Sequence, residues 1–260
     1  MHAQPLVSVV IPTFKDQATL RQQLPLLLQY LPTLNKSFEV ILVDDGGAPE
    51  ETAALAKRMG CRFECNPRNL GKGAAVRRGM LAAQGAYRLF TDADIPYELD
   101  AFAHALWCLE HRGFDMVAGD RTLPGSTYHE EIGLSRKLAS KACSFFVGRF
   151  LTGGWFDTQC GFKGFRDVVA QDLFGVARVD GFAFDIELIY TALHRNYDIK
   201  RIPVKLRCQE GSSVHVLRDG TRMARDVVRI RALRAIGAYG QRPPEAEPLY
   251  VPWLNHKDRI

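Results

Sequence analysis

The chain has 260 residues, of which 47% are hydrophobic, 24% charged and 10% aromatic; this composition is typical of a folded domain and excludes disordered, collagen-like and coiled-coil chains. Six scattered cysteines without a CxxC pair, and seven histidines without an HExxH motif, indicate neither a zinc site nor a disulfide framework. The formal net charge is +5, and the basic excess lies between residues 195 and 234, where eleven Lys and Arg stand against four acidic residues.

In the first 120 residues, apolar runs of strand length alternate with longer segments of helical period. This alternation predicts an α/β fold, with a mostly parallel sheet flanked by helices. The expected strands are 6–11, 38–43, 61–65, 86–91 and 114–118. The expected helices between them are 17–31, 50–59, 73–83 and 99–111.

The second half has a less regular pattern. We expect the following elements there: a polar loop over 123–133, a helical stretch over 134–151, a helix opening near 181, a strand near 198–206 and a basic helix over 218–235. The last twenty residues, 241–260, contain four prolines and are predicted to form a tail or a packing arm. No stretch offers the roughly 18 apolar residues that a membrane-spanning helix needs, and the start lacks the basic region of a signal peptide. We therefore expect a cytoplasmic protein with reduced thiols.

The segment Thr91-Asp-Ala-Asp94 follows a predicted strand. Two carboxylates two residues apart in a turn, Asp92 and Asp94, can reach one divalent cation, and a hard cation with oxygen ligands is how proteins hold a diphosphate. Such a motif alone is weak, because a pair of turn or capping aspartates has the same appearance.

Two further motifs lie at comparable positions. Asp44 and Asp45 end another strand, where a carboxylate can accept hydrogen bonds from a base edge or a ribose hydroxyl. The segment 69–73, with Lys72, opens a helix and offers backbone N–H groups and an ammonium to an anion. Because ligands of open α/β sheets bind outside the carboxyl ends of the strands, we expect these signatures to share one crevice.

The segments VSVVIPTFKD, VDDGG, NLGKGAAVRRG and TDAD, in this order and spacing, resemble the nucleotide-sugar domain of the family 2 inverting glycosyltransferases, which have the Rossmann-like GT-A fold. Two later segments, DTQCGFKGF from Asp157 and GFAFDIEL from Gly181, are similar to the polyprenyl-phosphate branch, which includes the dolichyl-phosphate β-glucosyltransferases. The resemblance covers residues 6–236. It implies transfer of a hexose, glucose from UDP-glucose, to a polyprenyl or dolichyl-type lipid phosphate, with Mg²⁺ or Mn²⁺ as cofactor.

The resemblance also implies roles for individual residues. The nucleotide subsite would comprise Pro12, Thr13, Asp16, Asp44, Asp45, Lys72 and Asp92. Asp92 and Asp94 would hold the metal. Positions on the acceptor side would be Asp157, Gln159, Lys163, Asp185 and Glu187. To these we add Arg207 and Ser212 as contributors to a phosphate subsite, because a phosphate acceptor requires cations and small donors.

The acceptor decides which catalytic groups are needed. A lipid phosphate, with a second pKa near 6, is already an anionic nucleophile at pH 7, whereas a hydroxyl acceptor requires a general base. We therefore expect Asp157 and Asp185 to position the reactants, with a base role only for a hydroxyl acceptor. A purely structural role stays open for each: a loop cap for Asp157, and for Asp185 and Glu187 an interaction with a helix N-terminus.

Arg218, Arg222, Arg225 and Arg229 recur at helical spacing beside an apolar stripe, and the stretch 135–151 repeats this pattern. Both indicate reversible docking on an anionic membrane surface, or ordinary amphipathic surface helices. We accordingly predict one glycosyltransferase domain over 1–240, with a nucleotide-sugar half (1–120) and an acceptor half (121–240), located peripherally on the inner face of the membrane.

Four alternative functions compete with this prediction. Transfer to a hydroxyl of a lipid or glycan would keep the same fold, and a non-catalytic nucleotide-sugar-binding paralogue is disfavoured by the intact TDAD. A dehydrogenase is disfavoured because no GxGxxG follows the first strand, and nucleic-acid binding because no recognition motif is present. The carboxylates of VDDGG would serve uracil or guanine, so the sequence leaves open the choice between UDP and GDP, and also the oligomeric state.

Overall fold

The structure is a computed structural model that describes residues 5–127, 148, 152–155, 157–207 and 216–244. Its strands are β1 (Val7–Thr13), β2 (Phe38–Asp44), β3 (Arg62–Cys65), β4 (Tyr87–Phe90), β5 (Met116–Asp120), β6 (Lys163–Arg166) and β7 (Ile199–Pro203). Its helices are α1 (Gln17–Tyr30), α2 (Pro49–Met59), α3 (Lys72–Ala82), α4 (Asp100–His111), α5 (Asp167–Val176), α6 (Phe184–His194) and α7 (Val216–Ala235), and a 3₁₀ turn, Leu31–Leu34, follows α1.

The seven strands form one sheet in the order β3-β2-β1-β4-β6-β5-β7. Strand β6 is antiparallel to both of its neighbours, and the other pairs are parallel. Lys163, the first residue of β6, lies opposite Phe90 of β4 and Ala118 of β5. The beginning of β6 therefore meets the carboxyl ends of β4 and β5 at one edge of the sheet.

Helices cover the sheet on both faces, which explains why β1 and β2 are mostly apolar and buried along their length. Val9 and Ile11 of β1 pack into a core with α1, α2 and α4, whereas Val10 packs into a second core with α3, α5 and α6. Helix α3 approaches the sheet closely, since a Cβ at Gly79 would lie 2.4 Å from the side chain of Val10. This close packing fixes the direction in which α3 begins, at the edge that carries the polar motifs.

Local signals in the sequence account for the ends of some helices. Helix α2 starts with Pro49 and two glutamates and finishes with Lys57 and Arg58, a charge order that favours the helix dipole. It ends at Gly60, whose φ of +67° suits a glycine cap.

The predicted α/β fold with a mostly parallel sheet is confirmed, and each predicted strand has a counterpart. Strand β6 was not predicted, because Lys163–Arg166 is only four residues long and has a charged residue at each end. The following predictions lie outside the described residues: the helical stretch 134–151 except residue 148, Ser212, and the tail beyond residue 244. Among the described helices, none has both the length and the apolar character that crossing a bilayer requires.

Candidate active site

The turn after β2 is organised by Asp44. This residue is fully buried, and its Oδ1 accepts the N–H of Gly47 at 2.7 Å. Its Oδ2 accepts the hydroxyl of Thr52 at 2.7 Å, so the carboxylate ties the turn to the start of α2. We predicted that Asp44 binds the base or the ribose. A ligand there would have to share oxygens that already accept hydrogen bonds from the protein.

Asp45 holds the loop that leads into α3. Its Oδ1 accepts the side-chain amide of Asn66, and its Oδ2 accepts the N–H of Gly71, both at 2.7 Å. Gly46 has a φ of +73°, and a Cβ there would lie 2.4 Å from the carbonyl carbon of Arg68. The acidic pair after β2 thus packs the turn and the loop into one unit, from which α3 starts.

Lys72 is the first residue of α3 and faces the TDAD motif. Its Nζ lies 2.5 Å from Oδ1 of Asp92. Burial would lower the pKa of the Lys72 ammonium, but nearby carboxylates raise it above its ordinary value. Those carboxylates belong to Asp92, Asp185 and Asp94. The ammonium is therefore held in its charged form at the centre of an acidic cluster.

The TDAD motif forms a tight turn in which the N–H of Ile95 donates to the carbonyl of Asp92 at 3.0 Å. Ile95 is buried and has a φ of +42°, a strained value for a β-branched residue. Arg207 braces this turn, because its guanidinium donates to the carbonyl of Ile95 at 3.2 Å and to Oε1 of Gln23 at 2.7 Å. The structure thus places the Arg207 side chain behind the turn, although we expected it at the acceptor.

Gly161 lies directly against the carboxylate of Asp92. A Cβ at this position would lie 1.9 Å from Oδ2 of Asp92, so only glycine leaves room for the carboxylate. The segment DTQCGFKGF, which sequence reasoning assigned to the acceptor side, therefore also forms a wall of the acidic cluster.

Lys163 and Asp185 form a buried ion pair below this cluster. Nζ of Lys163 lies 2.5 Å from Oδ1 of Asp185 and donates to the carbonyl of Cys160 at 2.7 Å. Both side chains are at most 4% exposed. Burial raises the pKa of the Asp185 carboxyl above its ordinary value, and the ammonium groups of Lys163 and Lys72 oppose that rise. The Lys163 ammonium thus binds Asp185 in the protein interior, whereas we expected it at the acceptor.

Asp157 is paired with Arg121, which follows the end of β5. Oδ2 of Asp157 accepts the backbone N–H of Arg121 at 2.6 Å, and both oxygens accept hydrogen bonds from the guanidinium. Burial would lower the pKa of Arg121, but the hydrogen bonds with Asp157 raise it. The Asp157 side chain is 6% exposed and that of Arg121 is 27% exposed, so the guanidinium is partly accessible to solvent while the buried carboxylate orients it.

Glu187 is fully buried and stabilises the loop before α6. One oxygen accepts the N–H of Val179 at 2.9 Å, and the other accepts the N–H of Arg178 at 2.9 Å and the hydroxyl of Tyr239 at 2.8 Å. The same loop contacts α3, because the N–H of Ala74 donates to the carbonyl of Asp180. We expected Glu187 at the acceptor; the structure gives it contacts that hold the loop under Lys72.

We expect Tyr239→Phe to lower the free energy of unfolding by about 1.5–3 kcal/mol, because it removes a hydrogen bond to a buried carboxylate. The measurement is urea unfolding. The control is Tyr190→Phe, whose hydroxyl accepts a bond of 3.2 Å from the exposed Arg234 and should matter less. Equal losses in the two variants would contradict the role given to Tyr239.

The other predicted residues are placed as follows. Pro12 and Thr13 end β1, where the carbonyl of Thr13 accepts the N–H of Asp45 at 2.9 Å. Asp16 is exposed at the start of α1, and Gln159 is half-buried in the turn after Asp157. Pro12, Thr13 and Asp16 therefore follow the same sheet edge as the acidic cluster.

The described residues contain no group of three or more His, Cys, Asp or Glu side chains that could enclose a metal by themselves. They do fit a cation that shares its coordination with a ligand, because Mg²⁺ is usually held by one or two carboxylates together with phosphates and water. Oδ1 of Asp92 is buried and accepts no hydrogen bond of ordinary geometry among the described residues, so its counter-charge is the Lys72 ammonium. Asp92 and Asp94 are the candidate ligands.

Sequence reasoning missed two residues of this site, Arg121 and Gly161. Arg121 could have been found by the strand-end rule that identified the aspartates, because it follows the predicted strand 114–118 closely. Gly161 gave no signal, since its role depends on a contact with a turn about 70 residues earlier in the chain.

Comparisons with known proteins place this sequence among glycosyltransferases. Residues 8–174 match the family described as glycosyl transferase family 2. The chain is 31% identical over 251 residues to the dolichyl-phosphate β-glucosyltransferase of Drosophila melanogaster, covering 90% of this chain and 76% of that protein. It is 29% identical over 248 residues to the enzyme of the same name from Dictyostelium discoideum, with the same coverage.

Solved structures show a similar fold. Glucosyl-3-phosphoglycerate synthase from Mycobacterium tuberculosis, in complex with Mn²⁺ and UDP-glucose, superimposes with a TM-score of 0.63 at 18% identity, over 90% of this chain and 79% of that chain. The same enzyme with Mg²⁺ and UDP gives the same TM-score and identity, over 90% and 80% of the two chains.

Proposed function

The chain belongs to glycosyl transferase family 2, and from this premise we propose that it transfers glucose from UDP-glucose to the phosphate of a dolichyl-type polyprenyl lipid, with inversion at the anomeric carbon. Its class follows from the family: it is a nucleotide-sugar-dependent glycosyltransferase. The observation that carries the proposal is the cluster in which Asp92, Lys72 and the buried Asp185 meet at the carboxyl edge of the sheet.

We propose that Asp92 and Asp94 hold Mg²⁺ or Mn²⁺ together with the donor diphosphate. When bound, the cation would offset the negative charge that grows on the departing nucleoside diphosphate. Lys72 would contribute a second positive charge beside the same phosphates. Residues Pro12, Thr13, Asp16, Asp44 and Asp45, which line the neighbouring part of the edge, stay assigned to the nucleotide.

A phosphate acceptor fits the remaining groups better than a hydroxyl. Both oxygens of Asp157 accept hydrogen bonds from Arg121, and Asp185 is paired with Lys163, so neither carboxylate is placed as an uncommitted base. A phosphate monoester needs no base, and the partly exposed guanidinium of Arg121 is suited to bind it. We therefore assign Arg121 to the acceptor phosphate, with Asp157 as the residue that positions it and Gln159 beside them.

We further propose that the enzyme works peripherally on the inner face of the membrane, where a polyprenyl phosphate is accessible. In the described part of α7 and just after it, Val228 and Ile236 are 67% and 78% exposed, and Arg225 and Arg229 are exposed as well. Exposed apolar and basic side chains on one helix favour reversible binding to anionic lipid.

The test is an assay of the purified full chain with UDP-[¹⁴C]glucose, Mg²⁺ or Mn²⁺, and dolichyl or undecaprenyl phosphate. We expect a labelled product that extracts into organic solvent and is released by mild acid. Matched reactions with GDP-mannose, with the dephosphorylated polyprenol and with EDTA serve as controls. Label transferred to the polyprenol alone would favour the hydroxyl-acceptor reaction, and UDP binding without any transfer would favour a non-catalytic protein; each result would overturn the proposal.

We expect Gly161→Ala to reduce the rate of this reaction about 10²-fold, because the new Cβ must displace the carboxylate of Asp92 and small misplacements of reacting groups have effects of that size. Initial rates with UDP-glucose measure the effect. The control is Gly175→Ala in α5, where a Cβ would meet no atom within 4 Å. An active Gly161→Ala variant would show that the contact with Asp92 does not matter.

A further inference from the structure

Lys72 occupies the position at Asp92 that a metal cation would be expected to take. Its Nζ lies 2.5 Å from Oδ1 of Asp92, and the same ammonium lies 6.0 Å from the centroid of the Phe184 ring. The backbone around it is fixed, because a Cβ at Gly73 would lie 2.6 Å from Cβ of Phe184. The start of α3 therefore cannot move easily, whereas the four-carbon stem of the lysine can.

The charges of the cluster are nearly balanced before any ligand arrives. Among five described side chains of the cluster, the carboxylates of Asp92, Asp94 and Asp185 stand against the ammonium groups of Lys72 and Lys163, with Lys163 and Asp185 2.5 Å apart. A divalent cation added alone would turn this small negative excess into a positive one, next to an ammonium. A diphosphate added alone would make the cluster strongly negative. When the cation and the diphosphate bind together, the net charge of the cluster stays almost unchanged.

Building on the proposed function, we propose that Lys72 is an internal substitute for the divalent cation at Asp92, so that the cation binds tightly only together with a nucleoside diphosphate. The diphosphate gives the ammonium a new partner and releases Oδ1 of Asp92 for the cation. The cation and the nucleotide then strengthen each other's binding by the same factor, as linkage requires.

The test is calorimetric titration of the full chain with Mn²⁺ alone, UDP alone, Mn²⁺ at saturating UDP, and UDP at saturating Mn²⁺. In the wild type we expect UDP to tighten Mn²⁺ binding at least about tenfold, with the same factor in the reverse order. In Lys72→Met we expect Mn²⁺ alone to bind at least about tenfold tighter than in the wild type, and the coupling factor to shrink accordingly.

Two variants control this experiment. Lys72→Arg keeps the positive charge and should keep the coupling. Lys36→Met removes another ion-paired lysine, 2.6 Å from Glu110 on a remote part of the surface, and should behave like the wild type. If Lys72→Met fails to fold, as thermal unfolding would show, Lys72→Gln replaces it.

The outcomes separate the inference from the proposed function. If wild type binds Mn²⁺ and UDP without coupling, or if Lys72→Met binds Mn²⁺ no tighter than wild type, the inference is overturned and the proposed function stands. If the wild type does not bind UDP with either Mn²⁺ or Mg²⁺, the proposed function fails as well.

Discussion

Asp92→Asn is expected to lower kcat for glucose transfer by about 10³-fold or more, while the protein stays folded. Asparagine keeps the shape of the side chain but removes the negative charge that faces Lys72 at 2.5 Å and that we assign to the metal. The leaving diphosphate would then lose the charge stabilisation that the cation supplies. Initial rates at saturating Mn²⁺, UDP-glucose and polyprenyl phosphate measure the loss, and thermal unfolding checks the fold.

The chain offers a matched control for this substitution. Asp180 is also ion-paired, to Arg77 at 2.5 Å, and lies in the loop that supports α3, but its side chain is 47% exposed and outside the acidic cluster. Asp180→Asn should retain most of the activity. If Asp92→Asn kept more than a tenth of the wild-type rate, the central assignment of the site would be wrong.

The polar strand ends were predictable because parallel strands place their carboxyl ends together. The position of Asp92 after one apolar run and of Asp44 after another was sufficient to locate the edge of the sheet that carries the cluster. What each carboxylate contacts was not predictable. The oxygens of Asp44 bind Gly47 and Thr52, and those contacts depend on how the turn folds back onto α2.

The second half of the chain was harder to predict, because several site residues predicted there are charged but buried. The family resemblance placed Lys163 on the acceptor side, and nothing in the sequence indicated burial, which is rare for lysine. Its burial becomes possible only when β6 inserts between β4 and β5 and when Asp185, on a different helix, supplies the counter-charge. The contacts of Glu187 were unpredictable for the same reason. Its partner Tyr239 lies 52 residues away, and no local sequence pattern indicates the hydrogen bond between them.

Lys163→Met is expected to lower the free energy of unfolding by about 3–5 kcal/mol, because it leaves the Asp185 carboxylate buried without its ammonium. Asp185→Asn should also lower the free energy of unfolding, because it leaves the Lys163 ammonium buried without its carboxylate. The double variant should cost clearly less than the sum of the two, since the second substitution removes the charge that the first left unpaired. Urea unfolding of the four proteins measures the coupling, and strictly additive losses would contradict it.

The control for this cycle is Lys36→Met. The Lys36–Glu110 pair is nearly as short, at 2.6 Å, but about a quarter of each side chain is exposed, so its loss should cost less than about 1 kcal/mol. The rate of glucose transfer then shows whether the Lys163–Asp185 pair positions reacting groups or only stabilises the fold. The double variant should be more stable than the additive losses predict, but its rate of glucose transfer should stay low. The reason is that position 185 no longer supplies a negative charge near Lys72 and Asp92. A stable double variant with normal transfer would show that the buried pair only supports the fold.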